Sequence, residues 1–151
     1  MSHSVASPRV DTLGCDGVAG HLRVPFHPCS ASVARRQLRL WLSRHATAFE
    51  PAELEDLVDS AELVVSELVG NAIRHARPVV GGVLALRWLL TEGQLVISVT
   101  DGGSALVPHK VEASPQAQSG RGMAIIDAIA HRWWTESSDS EATVHALIAV
   151  A

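Results

Sequence analysis

In the segment SELVGNAIRHA, residues 66–76, four residues after Ser66 carry a charged, amide or imidazole side chain in an otherwise apolar, helix-forming stretch: Glu67, Asn71, Arg74 and His75. An α-helix turns about 100° per residue, so Glu67 and Asn71 fall about 40° apart and point the same way. A carboxylate can accept a proton from an attacking hydroxyl or water, and an amide oxygen can ligate Mg²⁺. The pair therefore indicates either the wall of a pocket or the ordinary solvent edge of a buried helix.

Two glycine-containing stretches add further chemistry. Asp101-x-Gly103 ends an apolar run, where the carboxylate offers a hydrogen-bond acceptor and Gly103 lets a ligand approach the backbone. Gly120-x-Gly122 opens a helix, whose free N–H groups form a seat for phosphate, and Arg121 adds positive charge. Taken alone, each stretch has a plainer interpretation, because Asp-Gly-Gly is commonly a turn and paired glycines commonly mark a helix entry.

The apolar periodicity predicts the elements that position these residues. A helix is expected over 51–76 and a second glycine-opened helix over 120–132, with a hairpin over 81–90 and 93–101 between them. The loop over 102–119 is long enough to be a lid. The remaining elements are a strand over 21–26 with Pro25 favouring an edge, a helix over 31–46 with Ser30 as its candidate N-cap, and two closing strands joined by a turn at Asp139-Ser140.

This order predicts an α+β fold, a two-layer sandwich in which helices cover one face of a mixed, mainly antiparallel sheet. Apolar stripes indicate which side of each helix is buried. The expected stripes are Val33, Leu38, Trp41 and Leu42 in the first helix; Leu54, Leu57, Val58, Ala61, Val65, Leu68 and Ala72 in the second; and Met123, Ile126, Ala130 and Ile129 in the third.

Composition restricts the class of protein. The 151 residues fit one domain over 20–151 after a loose leader over 1–19. A net charge of −4 gives little support for a nucleic-acid surface, and the absence of a long apolar run argues against membrane insertion, so we expect a cytoplasmic protein. The eight histidines lack metal-ligand spacing, so a zinc site is not expected.

Taken together and in order, the three motifs resemble the N box and the two glycine boxes of the histidine-kinase-like ATPase (GHKL) superfamily, over roughly residues 20–150. Within it, SELVGNAIRHA and GRGMAII are similar to the single-domain anti-sigma-factor serine kinases and their actinobacterial relatives. The resemblance implies the GHKL ATP-binding fold, with ATP and Mg²⁺ as cofactors. It implies that Glu67 is the general base, that Asn71 ligates Mg²⁺ and that Asp101 binds the adenine amino group. The implied nucleotide-binding set is Asn71, Arg74, His75, Asp101, Gly103, Gly120, Arg121, Gly122, Met123 and Thr143.

The function implied is a Mg²⁺-dependent serine/threonine kinase that phosphorylates an antagonist (anti-anti-sigma) protein and can also hold a sigma factor. Pairing into a homodimer stays open. Two departures from the family pattern are Ala105, where a further glycine is usual, and the lack of a glycine before the last strand. Two alternatives therefore remain: a nucleotide-gated interaction module that transfers no phosphate, and a partner-binding domain whose pocket is empty.

Overall fold

The described residues form a five-stranded sheet and three helices. The structure, a computed structural model, describes residues 17–103 and 121–150. Most of the predicted lid, including Ala105, lies outside these residues, as does nearly all of the predicted leader. In chain order the elements are β1 Val18–Pro25, α1 Ser30–His45, α2 Pro51–His75, β2 Val83–Leu90, β3 Gln94–Asp101, α3 Arg121–Ile129, β4 Arg132–Ser137 and β5 Ala142–Ala149.

The sheet has the strand order β1-β2-β3-β5-β4, and all four pairings between the described strands are antiparallel. The α+β prediction with a mainly antiparallel sheet is confirmed. Pro25 ends the edge strand β1, where its missing N–H removes no ladder bond from the sheet interior. The turn between β4 and β5 is closed by the Ser138 N–H, which donates to the Glu141 carbonyl at 2.8 Å.

Alternation along the strands gives the sheet two chemically different faces. On β3, Leu95, Ile97 and Val99 point into the apolar core that α1, α2 and α3 cover. Thr100 and Ser98 point to the other face, which no helix covers in the described part of the chain. The helices therefore lie on one side, as predicted.

Helix α2 is the longest element, with 25 residues, and its predicted apolar face is buried. A capping box begins it, because Glu50 and Glu53 each accept a hydrogen bond from the backbone N–H of the other. In α1 the predicted N-cap is wrong. Cys29 is the N-cap, and Ser30 lies inside the helix with its hydroxyl donating to the Pro25 carbonyl at 2.6 Å.

The buried stripe of α1 also differs from the expected one. It runs through Ser30, Ala34, Leu38 and Leu42, so it follows i, i+4 steps, and Val33 lies about 100° away from Ala34 with 44% of its surface exposed. Among the described helices, none combines the length and the apolarity that crossing a bilayer requires.

Candidate functional site

The C-terminal half of α2 carries four of the predicted site residues. Glu67 and Asn71 are half-buried, whereas Arg74 and His75 are exposed. The Arg74 guanidinium lies back along the helix, because Nη1 would be 3.3 Å from a Cβ added at Gly70. Glu67, Asn71 and Arg74 therefore share one sector of the helix surface, at its boundary with the core.

Asn71 joins α2 to the first turn of α3. Its Nδ2 donates to the Met123 Sδ at 3.6 Å, and Met123, the third residue of α3, is 2% exposed. The Asn71 Oδ1 is buried and accepts no hydrogen bond from any described residue. An unsatisfied buried acceptor costs about 1–3 kcal/mol. This oxygen therefore has an unused capacity for a hydrogen-bond donor or a cation.

The contact places Asn71 beside the N-terminal end of α3. Arg121 and Gly122 are the first two residues of that helix, and Gly120 lies outside the described residues. The first N–H groups of any α-helix have no intrahelical acceptor and carry the positive end of the helix dipole. The predicted Mg²⁺ ligand and the predicted phosphate seat are thus neighbours.

Asp101 is the last residue of β3 and is 7% exposed on the helix-covered side of the sheet. Its Oδ1 accepts the Gly103 N–H at 2.7 Å. Burial raises the pKa of Asp101 to about 6; the Gly103 hydrogen bond opposes the rise, and the charge of Glu141 adds to it. This carboxyl group therefore takes up its proton at a higher pH than an exposed aspartate does.

The turn after Asp101 is held by the chain that follows α2. The Gly102 N–H donates to the Arg77 carbonyl at 2.6 Å, and the Arg77 N–H donates to the Gly103 carbonyl at 2.9 Å. A Cβ at Gly102 would overlap the Pro78 carbonyl oxygen, so only glycine permits this approach. Gly103 has φ +87°, a left-handed conformation that glycine adopts at no steric cost. These two backbone hydrogen bonds between Arg77 and the Gly102-Gly103 turn are called the backbone clamp below.

Thr143, a member of the predicted nucleotide-binding set, lies on the opposite face of the sheet from Asp101. It pairs with Thr100, its hydroxyl lies 2.7 Å from the Thr100 hydroxyl, and both side chains point to the uncovered face. The residue of β5 opposite Asp101 is Ala142. The prediction placed Thr143 beside adenine, but strand alternation directs it away from Asp101.

Sequence reasoning missed the role of Gly102, Arg77 and Pro78. A signal was present, because Pro78 follows the helix and two adjacent glycines follow the strand, a combination that permits close backbone approach. Gly103 was singled out for lacking a Cβ near a ligand. In the structure its positive φ and its N–H bond to Asp101 are the evident requirements.

A family model described as "Histidine kinase-like ATPase domain" matches residues 25–147. The chain belongs to this family. The resemblance drawn from the three motifs is therefore confirmed, and membership of the histidine kinase-like ATPase family implies ATP as the nucleotide. The match extends from the end of β1 into β5 and so includes α2, β3 and α3.

The fold is similar to that of a chain in the crystal structure of the SiaB-SiaC complex from Pseudomonas aeruginosa, with a TM-score of 0.57 and 13% sequence identity. The alignment covers 97% of this chain and 98% of that chain. At this identity the likeness concerns the fold. No curated protein matches the histidine kinase-like ATPase chain in sequence.

Gly102→Ala should destabilise the protein by about 1–3 kcal/mol, because the added methyl group would force the backbone clamp apart. Urea unfolding followed by circular dichroism measures the change. Gly93→Ala is the matched control, since Gly93 also lies in a turn and a Cβ there meets no atom within 4 Å. Equal effects of the two substitutions would contradict the importance of the clamp.

The raised pKa of Asp101 has a consequence for stability. A carboxyl group that holds its proton more tightly when folded stabilises the protein fully below its unfolded pKa of about 3.9, and this contribution is lost as the pH rises through about 6. Relative to Asp101→Asn, the native chain should therefore lose free energy of unfolding between about pH 4 and pH 6. Urea unfolding of both proteins across this range tests the sign; parallel pH profiles would contradict it.

Proposed function

We propose that this histidine kinase-like ATPase domain binds Mg²⁺-ATP and transfers the γ-phosphate to a serine or threonine hydroxyl of a partner protein. The observation that carries the proposal is the buried, unpartnered Asn71 Oδ1 next to the first turn of α3. A Mg²⁺-triphosphate needs an oxygen ligand for the ion and, beside it, a helix N-terminus that binds the phosphates.

The residues present fit a magnesium ion. Mg²⁺ takes oxygen ligands, keeps several waters and is commonly bound by one or two protein oxygens together with substrate phosphates. The Asn71 Oδ1 is such an oxygen and satisfies no other donor in the described residues. When bound, the ion would offset the negative charge of the phosphates. The contact between Nδ2 and Met123 restricts the amide orientation that would serve this purpose.

Glu67 lies one helical turn before Asn71 and is the proposed general base. The i, i+4 spacing on α2 directs its carboxylate to the same side as the amide. There it would accept the proton of the attacking hydroxyl while the helix end and the amide hold the phosphates in place. Arg74, on the same sector of the helix, would add positive charge near them, and His75 and Arg121 complete the proposed phosphate surroundings together with Gly120 and Gly122.

Asp101 is proposed to accept a hydrogen bond from the adenine amino group. Only an ionised carboxylate leaves both oxygens free to accept, and Gly103 already occupies one of them. The backbone clamp fixes the plane of this carboxyl group relative to α2. The proposed set no longer includes Thr143, because its hydroxyl points to the other face of the sheet.

The partner proposed is a regulatory protein of the antagonist (anti-anti-sigma) type, with a sigma factor as a second protein that the domain holds. The motif resemblance to single-domain anti-sigma-factor serine kinases supports this. The fold similarity to a chain of a two-protein complex, SiaB-SiaC, agrees with a protein partner. A homodimer is a further proposal that rests on the resemblance alone.

One observation favours the alternative, a nucleotide-gated interaction module without phosphoryl transfer. The Glu67 carboxylate makes no hydrogen bond or ion pair with any described residue, so nothing in this part of the chain orients it as a base. Both functions require ATP binding, and only the kinase requires Glu67. The two predictions that follow therefore separate nucleotide binding from transfer.

Asn71→Ala should weaken binding of Mg²⁺-ATP by at least roughly tenfold, because it removes the proposed ligand oxygen. Isothermal titration calorimetry with ATP, with and without Mg²⁺, measures the effect, and the Mg²⁺-dependent part of the affinity should disappear. Gln37→Ala, which removes an exposed amide on α1, is the matched control. Unchanged Mg²⁺ dependence in Asn71→Ala would refute the ligand assignment.

Glu67→Gln should retain ATP affinity and reduce transfer of the labelled γ-phosphate, to water or to a partner protein, by about 10²–10⁴-fold. The amide keeps the shape of the side chain and cannot accept the proton. Glu62→Gln, on the same helix but engaged by Arg39, controls for the loss of one carboxylate. Binding of ATP without turnover in the native chain, with or without partner, would support the interaction module instead.

A further inference from the structure

The uncovered face of the sheet is a concave, polar surface that the proposed nucleotide chemistry does not use. Its volume is about 450 Å³. Thr100 and Asp101 are consecutive residues of β3 that point to opposite faces, so this surface, called the open face below, lies on the other side of the sheet from the nucleotide site.

Strand register arranges the open face in rows that cross all five strands. One row contains Arg23, Ala85, Thr100, Thr143 and Glu136, in that order from β1 to β4. The next row contains His21, Arg87, Ser98, His145 and Trp134. In these two rows positive charge is concentrated on β1 and β2, hydroxyl groups occupy the centre, and Glu136 carries negative charge on β4. Arg132 lies one row further along β4 on the same face, where its guanidinium is 4.6 Å from the centroid of the Trp134 ring.

The centre of the open face is already satisfied by its own hydrogen bonds. The Ser98 hydroxyl lies 2.7 Å from the His145 Nδ1, and the His145 Nε2 lies 2.8 Å from the Glu136 Oε1. Trp134 stacks on the His145 ring with centroids 5.0 Å apart. These contacts connect β3, β5 and β4 across the centre of the surface and fix the position of the Glu136 carboxylate.

The two ends of the open face differ from its centre, because each end carries charged side chains without an ion pair in the described residues. Arg23 and Arg87 are exposed, and neither side chain makes an ion pair or hydrogen bond with the described residues. At the opposite end Glu141, in the turn after β4, likewise makes no ion pair within the described ranges. A surface with unpaired charges of opposite sign at its two ends is complementary to a ligand with the reverse arrangement.

We infer that the open face binds an extended segment of a partner protein that carries an acidic side chain at one end and a basic side chain at the other. The acidic side chain contacts Arg23 and Arg87. The basic one contacts Glu141 together with Glu136, whose Oε1 is already paired with the His145 Nε2. Neighbouring strands lie about 4.8 Å apart, so four steps from β1 to β4 span about 19 Å. An extended chain covers this distance with about six residues at roughly 3.3 Å each.

Two fluorescein-labelled, capped peptides of eight residues test the inference. Both contain two Asp, two Arg and four Thr; in the first the two Asp are at one end and the two Arg at the other, and in the second the charges alternate. Fluorescence anisotropy at low ionic strength should show that the charge-separated peptide binds at least roughly tenfold more tightly than the alternating one. Equal affinities, or no binding of the first peptide at millimolar concentration, would overturn the inference.

Arg23→Glu combined with Arg87→Glu should weaken binding of the charge-separated peptide by roughly tenfold or more and create affinity for a peptide in which both Asp are replaced by Arg. Arg36→Glu with Arg44→Glu makes the same charge change on the exposed side of α1 and is the matched control. Arg23→Gln with Arg87→Gln keeps the test valid if the reversed variant does not fold. An equal loss in the α1 variant would show that net charge alone is responsible and refute the inference.

Sedimentation velocity distinguishes a second copy of the chain as the occupant. If the native chain self-associates and Arg23→Glu with Arg87→Glu abolishes this, the open face is covered by its own copy, and the inference of a partner segment is wrong. A sedimentation coefficient that the substitutions leave unchanged agrees with it. ATP affinity, measured on the same proteins, should not change, so a failure of the nucleotide proposal is recognised separately.

Discussion

The backbone clamp between Arg77 and the Gly102-Gly103 turn is the constraint on which the arrangement of the site depends. Two short hydrogen bonds join the residues after α2 to the residues after β3, so the helix that carries Glu67 and Asn71 and the strand that carries Asp101 end at a common point. Backbone hydrogen bonds of this kind are insensitive to side-chain identity, except where a Cβ would intervene. At Gly102 it would, and the geometry therefore depends on one missing methyl group.

Around this point the fold keeps two polar groups at the edge of an apolar layer. The Asn71 Oδ1 has no donor in the described residues, and the Asp101 carboxyl group is buried with a raised pKa. Buried polar groups in folded proteins are generally paired, so the unpaired Asn71 Oδ1 lowers the stability of the fold, whereas the Asp101 Oδ1 accepts the Gly103 N–H. Both groups accept hydrogen bonds or cations, which agrees with a ligand that presents an amino group and a metal ion.

The sequence predicted the order of the elements and most of the core, because apolar periodicity over long segments is a strong signal. The faces of α2 and α3 follow it directly, and the three motifs identified the family. The predicted buried stripe of α1 is wrong where two adjacent residues are both apolar. Val33 is more apolar than Ala34, so the pattern favours Val33, yet the buried stripe follows strict i, i+4 steps through Ala34.

Other features of the site depend on relations between strands, which a single sequence does not contain. Thr143 was assigned by resemblance to a motif position, yet the register with β3 places it beside Thr100 and directs it away from Asp101. The clamp joins residues 77 and 102, whose proximity no periodic pattern encodes. The charge separation of the open face likewise appears only when five strands are placed in order, because its members are distant in the chain.

Thr100 and Asp101 are neighbours on β3 and point to opposite sides, so one strand supplies side chains to both faces of the sheet. The β3 backbone is therefore part of both surfaces, with no layer of side chains between them. If a ligand bound on one face changes the affinity of the other face for its own ligand, thermodynamic linkage requires the reverse effect to be equally large. Because the described helices cover only one side of this sheet, a ligand on either surface contacts side chains that the same strand carries.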